Sequence, residues 1–250
     1  MATGSSLILV ILFTLLAGIT IGKFWERYKL RGGRWFDRRR AKQSPHYILG
    51  LNFMVSNQPD LAIEELNKAI SLDTEAIEIH MILGNLYREK GQVGRAIHMH
   101  QKLLQRPNLS TIEHAYVLLC LGLDFKRGGF LDRALEAFNE VLRLDSNNRY
   151  ALLNLEKLYE EQHQWELAHN AREKAMAFDN NDSHENKPIL AFLKNELGLV
   201  AQQQQNSVEA KHYFETAIEL SKQTIPAYLH LGDAQLISGD VAGAAETWER

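Results

Sequence analysis

Apolar and small residues recur at fixed distances along residues 44–250. A leucine precedes an anchor position and an alanine follows it by twelve residues, and the anchors lie 34, 38, 34, 42 and 34 residues apart. Such self-similarity indicates a repeat array, and apolar residues four apart share a helix face. The pattern predicts an all-α array of helical hairpins. The anchors are Gly50, Gly84, Gly122, Glu156, Gly198 and Gly232, and the alanines are Ala62, Ala96, Ala134, Ala168, Ala210 and Ala244.

Each repeat is predicted to hold two helices joined by a tight turn. The turns fall near Asn57, Gly91, Gly129 and Gly239, and the QQQQ run at 202–205 marks the turn of the fifth repeat. A glycine inside a helix costs about 1 kcal/mol relative to alanine, so its return at one offset implies a packing role. We expect each anchor glycine to face the alanine of the second helix, which would let the two helices cross closely.

One anchor and two spacings depart from this rule. Glu156 replaces glycine, so we expect the fourth repeat to cross more loosely or to point that carboxylate outward. The longer spacings place extra residues between repeats, where Ser110 and Glu113 have the spacing of a capping box. The polar run 178–188 is predicted to be a loop that leads into a helix beginning near Pro188.

The pattern W/Y-x-x-L-G-x-x-Y…A…F…A with a period of 34 is that of the tetratricopeptide repeat. Five complete repeats and most of a sixth cover the chain, with repeats one to four at 44–180 and repeats five and six at 181–250. The sixth ends inside its second helix, without the polar cap that a solenoid requires. We therefore expect a truncated or incomplete chain.

Residues 1–22 carry no charge, and the chain is predicted to begin with a transmembrane helix. As a helix they would reach roughly 33 Å, against a hydrocarbon core of about 30 Å. A cleaved signal peptide is the alternative, but its charges would precede the apolar stretch. Gly18 and Gly22 form a small-xxx-small pair that would let another membrane helix approach.

A basic juxtamembrane linker, 23–43, follows this predicted anchor. It holds nine Lys/Arg against Glu26 and Asp37, a net charge of +7, so the net charge of −3 leaves −10 on the other residues. Basic residues that flank a span stay cytoplasmic, which places the short N-terminus outside and the repeats in the cytoplasm. The acidic body argues against nucleic acid as a partner.

Candidate catalytic and metal-binding chemistry is sparse. Cys120 is the sole cysteine, which excludes an internal disulfide and a thiolate metal site built by this chain alone. His98 and His100 lie two apart, on different faces of a helix. The chain contains no nucleophile-elbow, phosphate-loop, zincin or dinucleotide motif. We therefore predict a protein that is not an enzyme and that holds no metal or cofactor.

Protein binding is the remaining function, because the first helices of such arrays line an inner, concave face. Polar and basic residues at or beside the positions one and four after the anchors would bind an acidic or extended peptide there. Ordinary surface charge is the alternative interpretation of each one. The candidates are Asn85, Arg88, Lys126, Arg127, Lys157 and Gln202.

The segments HYILGLNFMVSNQPDLAIEELNKAI and EIHMILGNLYREKGQVGRAIHMHQKLL resemble the lipopolysaccharide assembly protein B family of Gram-negative bacteria. The resemblance is most specific at 52–60, 83–86, 95–97 and 100–101. It implies an inner-membrane adaptor with an uncleaved anchor and cytoplasmic repeats, which regulates lipopolysaccharide synthesis. Its implied partners are the FtsH membrane protease, the lipid A deacetylase that FtsH degrades, and late lipopolysaccharide enzymes.

The resemblance leaves some alternatives open. Members of that family end in a rubredoxin-like metal knuckle with two C-x-x-C pairs, and this chain has neither pair. A periplasm-facing repeat protein for cytochrome maturation or envelope assembly is the alternative function, and it requires the opposite topology. An enzyme would need a catalytic module after residue 250.

Overall fold

The computed structural model describes residues 44–72, 76–177 and 186–250. Within these ranges the chain forms twelve α-helices and no strand, which confirms the predicted all-α array of hairpins. Odd-numbered helices are the first helices of the hairpins and even-numbered helices the second. They are α1 (Pro45–Val55), α2 (Pro59–Leu72), α3 (Ile77–Glu89), α4 (Val93–Leu104), α5 (Thr111–Arg127), α6 (Leu131–Leu144), α7 (Arg149–Glu161), α8 (Trp165–Met176), α9 (Asn186–Gln203), α10 (Ser207–Leu220), α11 (Ile225–Ile237) and α12 (Val241–Glu249).

The helices fall into two compact units that divide between Gln105 and Arg106. The N-terminal unit holds α1–α4, and Leu66 and Leu83 are fully buried in its core. The C-terminal unit holds α5–α12, with Phe138 and Phe214 fully buried. The division of the repeats at 180/181 stays a prediction, and the residues around it lie outside the described ranges.

The repeating alanines lie at the most crowded positions of the hairpins. All six are 0% exposed, as the recurrence of a minimal side chain predicts. The leucine that precedes the anchor is buried in five hairpins, whereas Leu49 in α1 is 43% exposed.

All six hairpin turns contain a left-handed residue seven positions after the anchor. These residues are Asn57, Gly91, Gly129, His163, Gln205 and Gly239, with φ between 55° and 88°. The amide of Gly91 donates to the Arg88 carbonyl at 3.0 Å, and the amide of Gln92 donates to the Tyr87 carbonyl at 2.8 Å. This pair of bonds is the Schellman motif, which satisfies carbonyls at a helix C-terminus. The predicted turns near 57, 91, 129 and 239 and at 202–205 are confirmed.

The left-handed turns provide a test of backbone strain. Replacing Gln205 (φ 63°) with glycine is expected to raise the free energy of unfolding by about 0.5–1 kcal/mol, because glycine adopts this conformation without a Cβ clash. Gln203→Gly, at the last residue of α9, is the control and is expected to lower stability by up to about 1 kcal/mol. Urea unfolding followed by circular dichroism measures both, and equal signs would contradict the explanation.

The anchor glycines face a different partner from the predicted alanine. A Cβ on Gly122 would come within 2.6 Å of the Phe138 ring, and a Cβ on Gly50 within 2.6 Å of Leu66 Cγ. In the other glycine-anchored hairpins the partner is likewise sixteen residues later: His100, Phe214 or Trp248. An antiparallel hairpin whose turn lies near offset eight pairs residues whose offsets sum to about sixteen. The predicted glycine–alanine pairing was therefore wrong, and the glycine makes room for a large side chain.

In the fourth hairpin a buried ion pair takes the place of the glycine and the large side chain that face each other in the other hairpins. Glu156 is 0% exposed, and the Arg172 Nη1 atom, sixteen residues later, donates to Glu156 Oε2 at 3.0 Å. The prediction of an outward carboxylate was wrong, because the side chain points between α7 and α8. A glycine facing a large side chain has been replaced by a buried ion pair.

The predicted capping box between the second and third hairpins is confirmed, whereas residues 178–185 of the predicted loop lie outside the described residues. Ser110 caps α5: the Glu113 amide donates to Ser110 Oγ at 3.2 Å, and the Ser110 amide donates to Glu113 Oε2 at 2.8 Å. Helix α9 begins at Asn186, two residues before Pro188.

Residues 1–43, which include the predicted anchor and the basic linker, lie outside the described residues. Among the helices that the structure describes, none combines the length and apolarity needed to cross a bilayer.

Candidate protein-interaction site

Helix α3 carries the two predicted binding residues of the N-terminal unit. Asn85 and Arg88 are both half-buried, and they lie one helical turn apart. The Asn85 Oδ1 atom is buried and accepts no hydrogen bond from the part of the chain that the structure describes. This helix therefore carries an amide beside a guanidinium cation: an amide suits a peptide backbone, and a guanidinium suits a carboxylate.

The C-terminal unit carries the other four predicted binding residues. Lys126 and Arg127 form the basic last turn of α5, where Lys126 is half-buried and Arg127 is exposed. Lys157 on α7 donates to Glu160 Oε1 and Oε2 at 3.1 and 2.9 Å, which reduces its attraction for an acidic ligand. Gln202 on α9 is half-buried. The strongest cationic patch among these four is therefore at the end of α5.

The predicted site residues thus form separate candidate surfaces on the two units. Two lie on α3 and four lie on the first helices of the C-terminal unit. Gly18 and Gly22, the predicted membrane-helix contacts, lie outside the described residues. Within the described ranges, no group of three or more His, Cys, Asp or Glu side chains is placed to bind a metal ion.

The sequence reasoning missed a buried polar network in the C-terminal unit. Arg172 bridges three helices: its Nη1 atom donates to Glu156 on α7, and its Nη2 atom donates to Asn186 Oδ1 on α9 at 2.7 Å. The Lys157 ammonium lies 3.7 Å from Glu156 Oε1. The sequence did hold a signal, since the anchor glycine and the large residue sixteen later are both replaced in this repeat alone. The network links the first helices α7 and α9 through Arg172 on α8.

His169 on α8 is a buried base near this network. Burial is the main cause that lowers the pKa of its imidazole, and the Lys194 cation lowers this pKa further. Glu173 and a hydrogen bond to Asn170 act in the opposite direction. An imidazole whose pKa is lower in the folded state binds fewer protons than in the unfolded state, so folding stability falls as the pH drops below about 6.5.

The expected consequence is a stability that declines on the acid side. We expect His169→Gln to flatten the profile of unfolding midpoint against pH between about 5 and 7. His212→Gln, at an exposed histidine on α10, is the control for removal of an imidazole that is not buried. Thermal unfolding across this pH range measures both variants, and identical profiles for His169→Gln and the parent chain would contradict the assignment.

Comparison with known proteins agrees with the repeat geometry. The family model of the tetratricopeptide repeat matches residues 195–250. Among solved structures, a tetratricopeptide repeat protein from Parabacteroides merdae superimposes with a TM-score of 0.56 at 17% identity, covering 84% of this chain and 77% of that one. YrrB, described as a TPR protein with an unusual peptide-binding site, superimposes with a TM-score of 0.53 at 17% identity, covering 78% and 94%. These likenesses establish the fold.

The sequence is also similar to lipopolysaccharide assembly protein B. The Escherichia coli K12 protein is 27% identical over 227 residues, and the Haemophilus influenzae protein is 27% identical over 235 residues. Each alignment covers 87% of this chain and 58% of the relative, so the chain spans little more than half of their length. The fold is that of a tetratricopeptide repeat array, and both relatives carry a name that refers to lipopolysaccharide assembly.

Proposed function

We propose that this tetratricopeptide repeat relative of lipopolysaccharide assembly protein B is a membrane-tethered adaptor that regulates lipopolysaccharide biosynthesis. Its clients would be a lipid A deacetylase and late lipopolysaccharide enzymes, brought to an FtsH-type membrane protease. The observation that carries the proposal is the alignment with assembly protein B over 87% of the chain, together with a hairpin array whose first helices present polar and basic side chains.

The proposed tether gives the adaptor its mechanism. An inner-membrane anchor at 1–22, with the repeats in the cytoplasm, would confine the first-helix surfaces to a thin layer below the bilayer. Such confinement raises the effective concentration of membrane-proximal partners without any new contact. The uncharged stretch followed by nine Lys/Arg supports this topology. Binding of the clients requires no cofactor in this chain.

Co-purification from membranes tests the proposal. The full chain is expected to recover the deacetylase and the protease, and the triple variant Arg88→Glu/Lys126→Glu/Arg127→Glu is expected to lower that recovery at least about tenfold, because reversed charges repel an acidic client. Lys211→Glu is the matched control, since Lys211 is exposed on the second helix α10. Equal recovery with the triple variant would reject the binding surfaces, and recovery of neither protein would reject the function.

A further inference from the structure

Three successive hairpins of the C-terminal unit expose an aromatic ring at the same repeat position. Tyr116, Tyr150 and Phe192 each lie six residues before an anchor, on α5, α7 and α9, and are 48%, 72% and 43% exposed. The N-terminal unit has Ser44 and Glu78 at this offset. The rings therefore form a feature of the C-terminal unit, here called the aromatic ladder. None of the three is among the predicted binding residues.

The three rings lie on the same side of their own helices, because they share an offset from the anchor. Packed helices lie about 8–10 Å apart. Successive first helices approach one another directly at α9 and α11, where His230 Nδ1 and Asn195 Oδ1 are 2.8 Å apart. Trp165 packs edge-on against Phe192 with centroids 5.8 Å apart, which limits the freedom of that ring. The rings of the ladder are therefore expected at steps of about 10 Å.

The charge around the ladder favours an acidic ligand. The N-terminal halves of α7 and α9 carry Arg149, Lys187 and Lys194, whereas that of α5 carries Glu113, whose carboxylate is engaged by the capping box. Lys194 lies 5.3 Å from the centroid of the Tyr213 ring. Helix N-termini add partial positive charge.

We propose that the aromatic ladder binds an extended, acidic segment of a partner protein with an apolar side chain at every third residue. Three residues of polyproline II span about 9 Å and bring every third side chain back to the same side of the segment, which matches the expected step between rings. Each apolar side chain packs on one ring, and the acidic residues between them face the flanking cations. This inference rests on the proposed adaptor function and names the chemistry of a client segment.

A defined peptide tests the ladder directly. The probe is a fluorescent 15-residue peptide of five Leu-Pro-Glu repeats, titrated with the full chain in detergent micelles and followed by anisotropy. We expect it to bind at least about tenfold more tightly than a peptide of the same composition with its leucines contiguous, and than one with lysine in place of glutamate. Tyr150→Ala is expected to weaken binding about tenfold, as loss of an aromatic hot spot does.

The control variant is Val208→Ala, because Val208 is 83% exposed but lies on the second helix α10. It is expected to change the affinity less than twofold. No binding of the probe, equal binding of the clustered peptide, or equal effects of the two variants would overturn the ladder. If these tests fail while co-purification of the deacetylase still depends on Arg88, Lys126 and Arg127, the ladder is wrong and the adaptor function stands.

Discussion

Replacing Arg172 with alanine is expected to lower the free energy of unfolding by about 3–5 kcal/mol, the usual cost of leaving one partner of a buried ion pair uncompensated. Glu156 is fully buried, and among the residues that the structure describes the Lys157 ammonium, 3.7 Å from Glu156 Oε1, is the cation that remains beside its carboxylate once the guanidinium is gone. The variant also removes the donor at 2.7 Å from Asn186. Urea unfolding followed by circular dichroism measures the loss.

A double variant separates the lost ion pair from lost packing volume. Glu156→Gly/Arg172→Phe restores the pairing found in the third and fifth hairpins, where the glycine faces a phenylalanine sixteen residues later. We expect it to recover at least half of the stability, because a well-packed apolar pair can replace a buried ion pair at little cost. A double variant no more stable than Arg172→Ala would contradict this equivalence.

The same network connects stability to the proposed binding surface. Arg172 links α7 to the start of α9, and these helices carry Tyr150 and Phe192 of the aromatic ladder. An ion pair with a hydrogen-bonded third partner specifies the relative placement of its helices more narrowly than an apolar contact does. The double variant should therefore be a stable chain whose affinity for the Leu-Pro-Glu peptide is altered.

Much of the hairpin architecture could be predicted because it is encoded locally. The 34-residue period and the alanines placed twelve after each anchor identify the helices and their buried faces. The turn residues at Asn57, Gly91 and Gly239 also follow from the sequence, since asparagine and glycine adopt φ > 0 readily. His163 and Gln205 have the same conformation without that signal, and their position is evident only from the repeat alignment.

The pairing across each hairpin was harder to predict because it depends on register. Glycine and alanine are both small, so a direct contact between them would have explained why both recur. The turn near offset eight instead opposes offsets zero and sixteen, which sets Gly84 against His100. The same register explains why both Glu156 and Arg172 differ from the other repeats. The two differences looked unrelated when each residue was compared only with those at the same offset from the anchor. The binding residues stay predictions.

The register predicts that the effect of Gly198→Ala on stability changes sign when Phe214 is also replaced. Gly198→Ala alone is expected to cost about 1–3 kcal/mol, because the new methyl group would collide with the Phe214 ring in a closely packed core. Phe214→Ala alone should cost about 3–5 kcal/mol. With the ring removed, Gly198→Ala is expected to stabilise the chain by up to about 1 kcal/mol, because alanine favours the helix. The coupling in this double-mutant cycle is then about 1–4 kcal/mol.

A second glycine inside a helix shows whether the ring causes the effect. Gly94 lies in the first turn of α4, and a Cβ added there would meet nothing within 4 Å, so Gly94→Ala is expected to be neutral or stabilising in either background. If Gly198→Ala were equally harmless in the parent chain, the anchor glycines would not be making room for the residue sixteen positions later. The recurrence of glycine in five of the six hairpins would then need a cause other than packing within the hairpin.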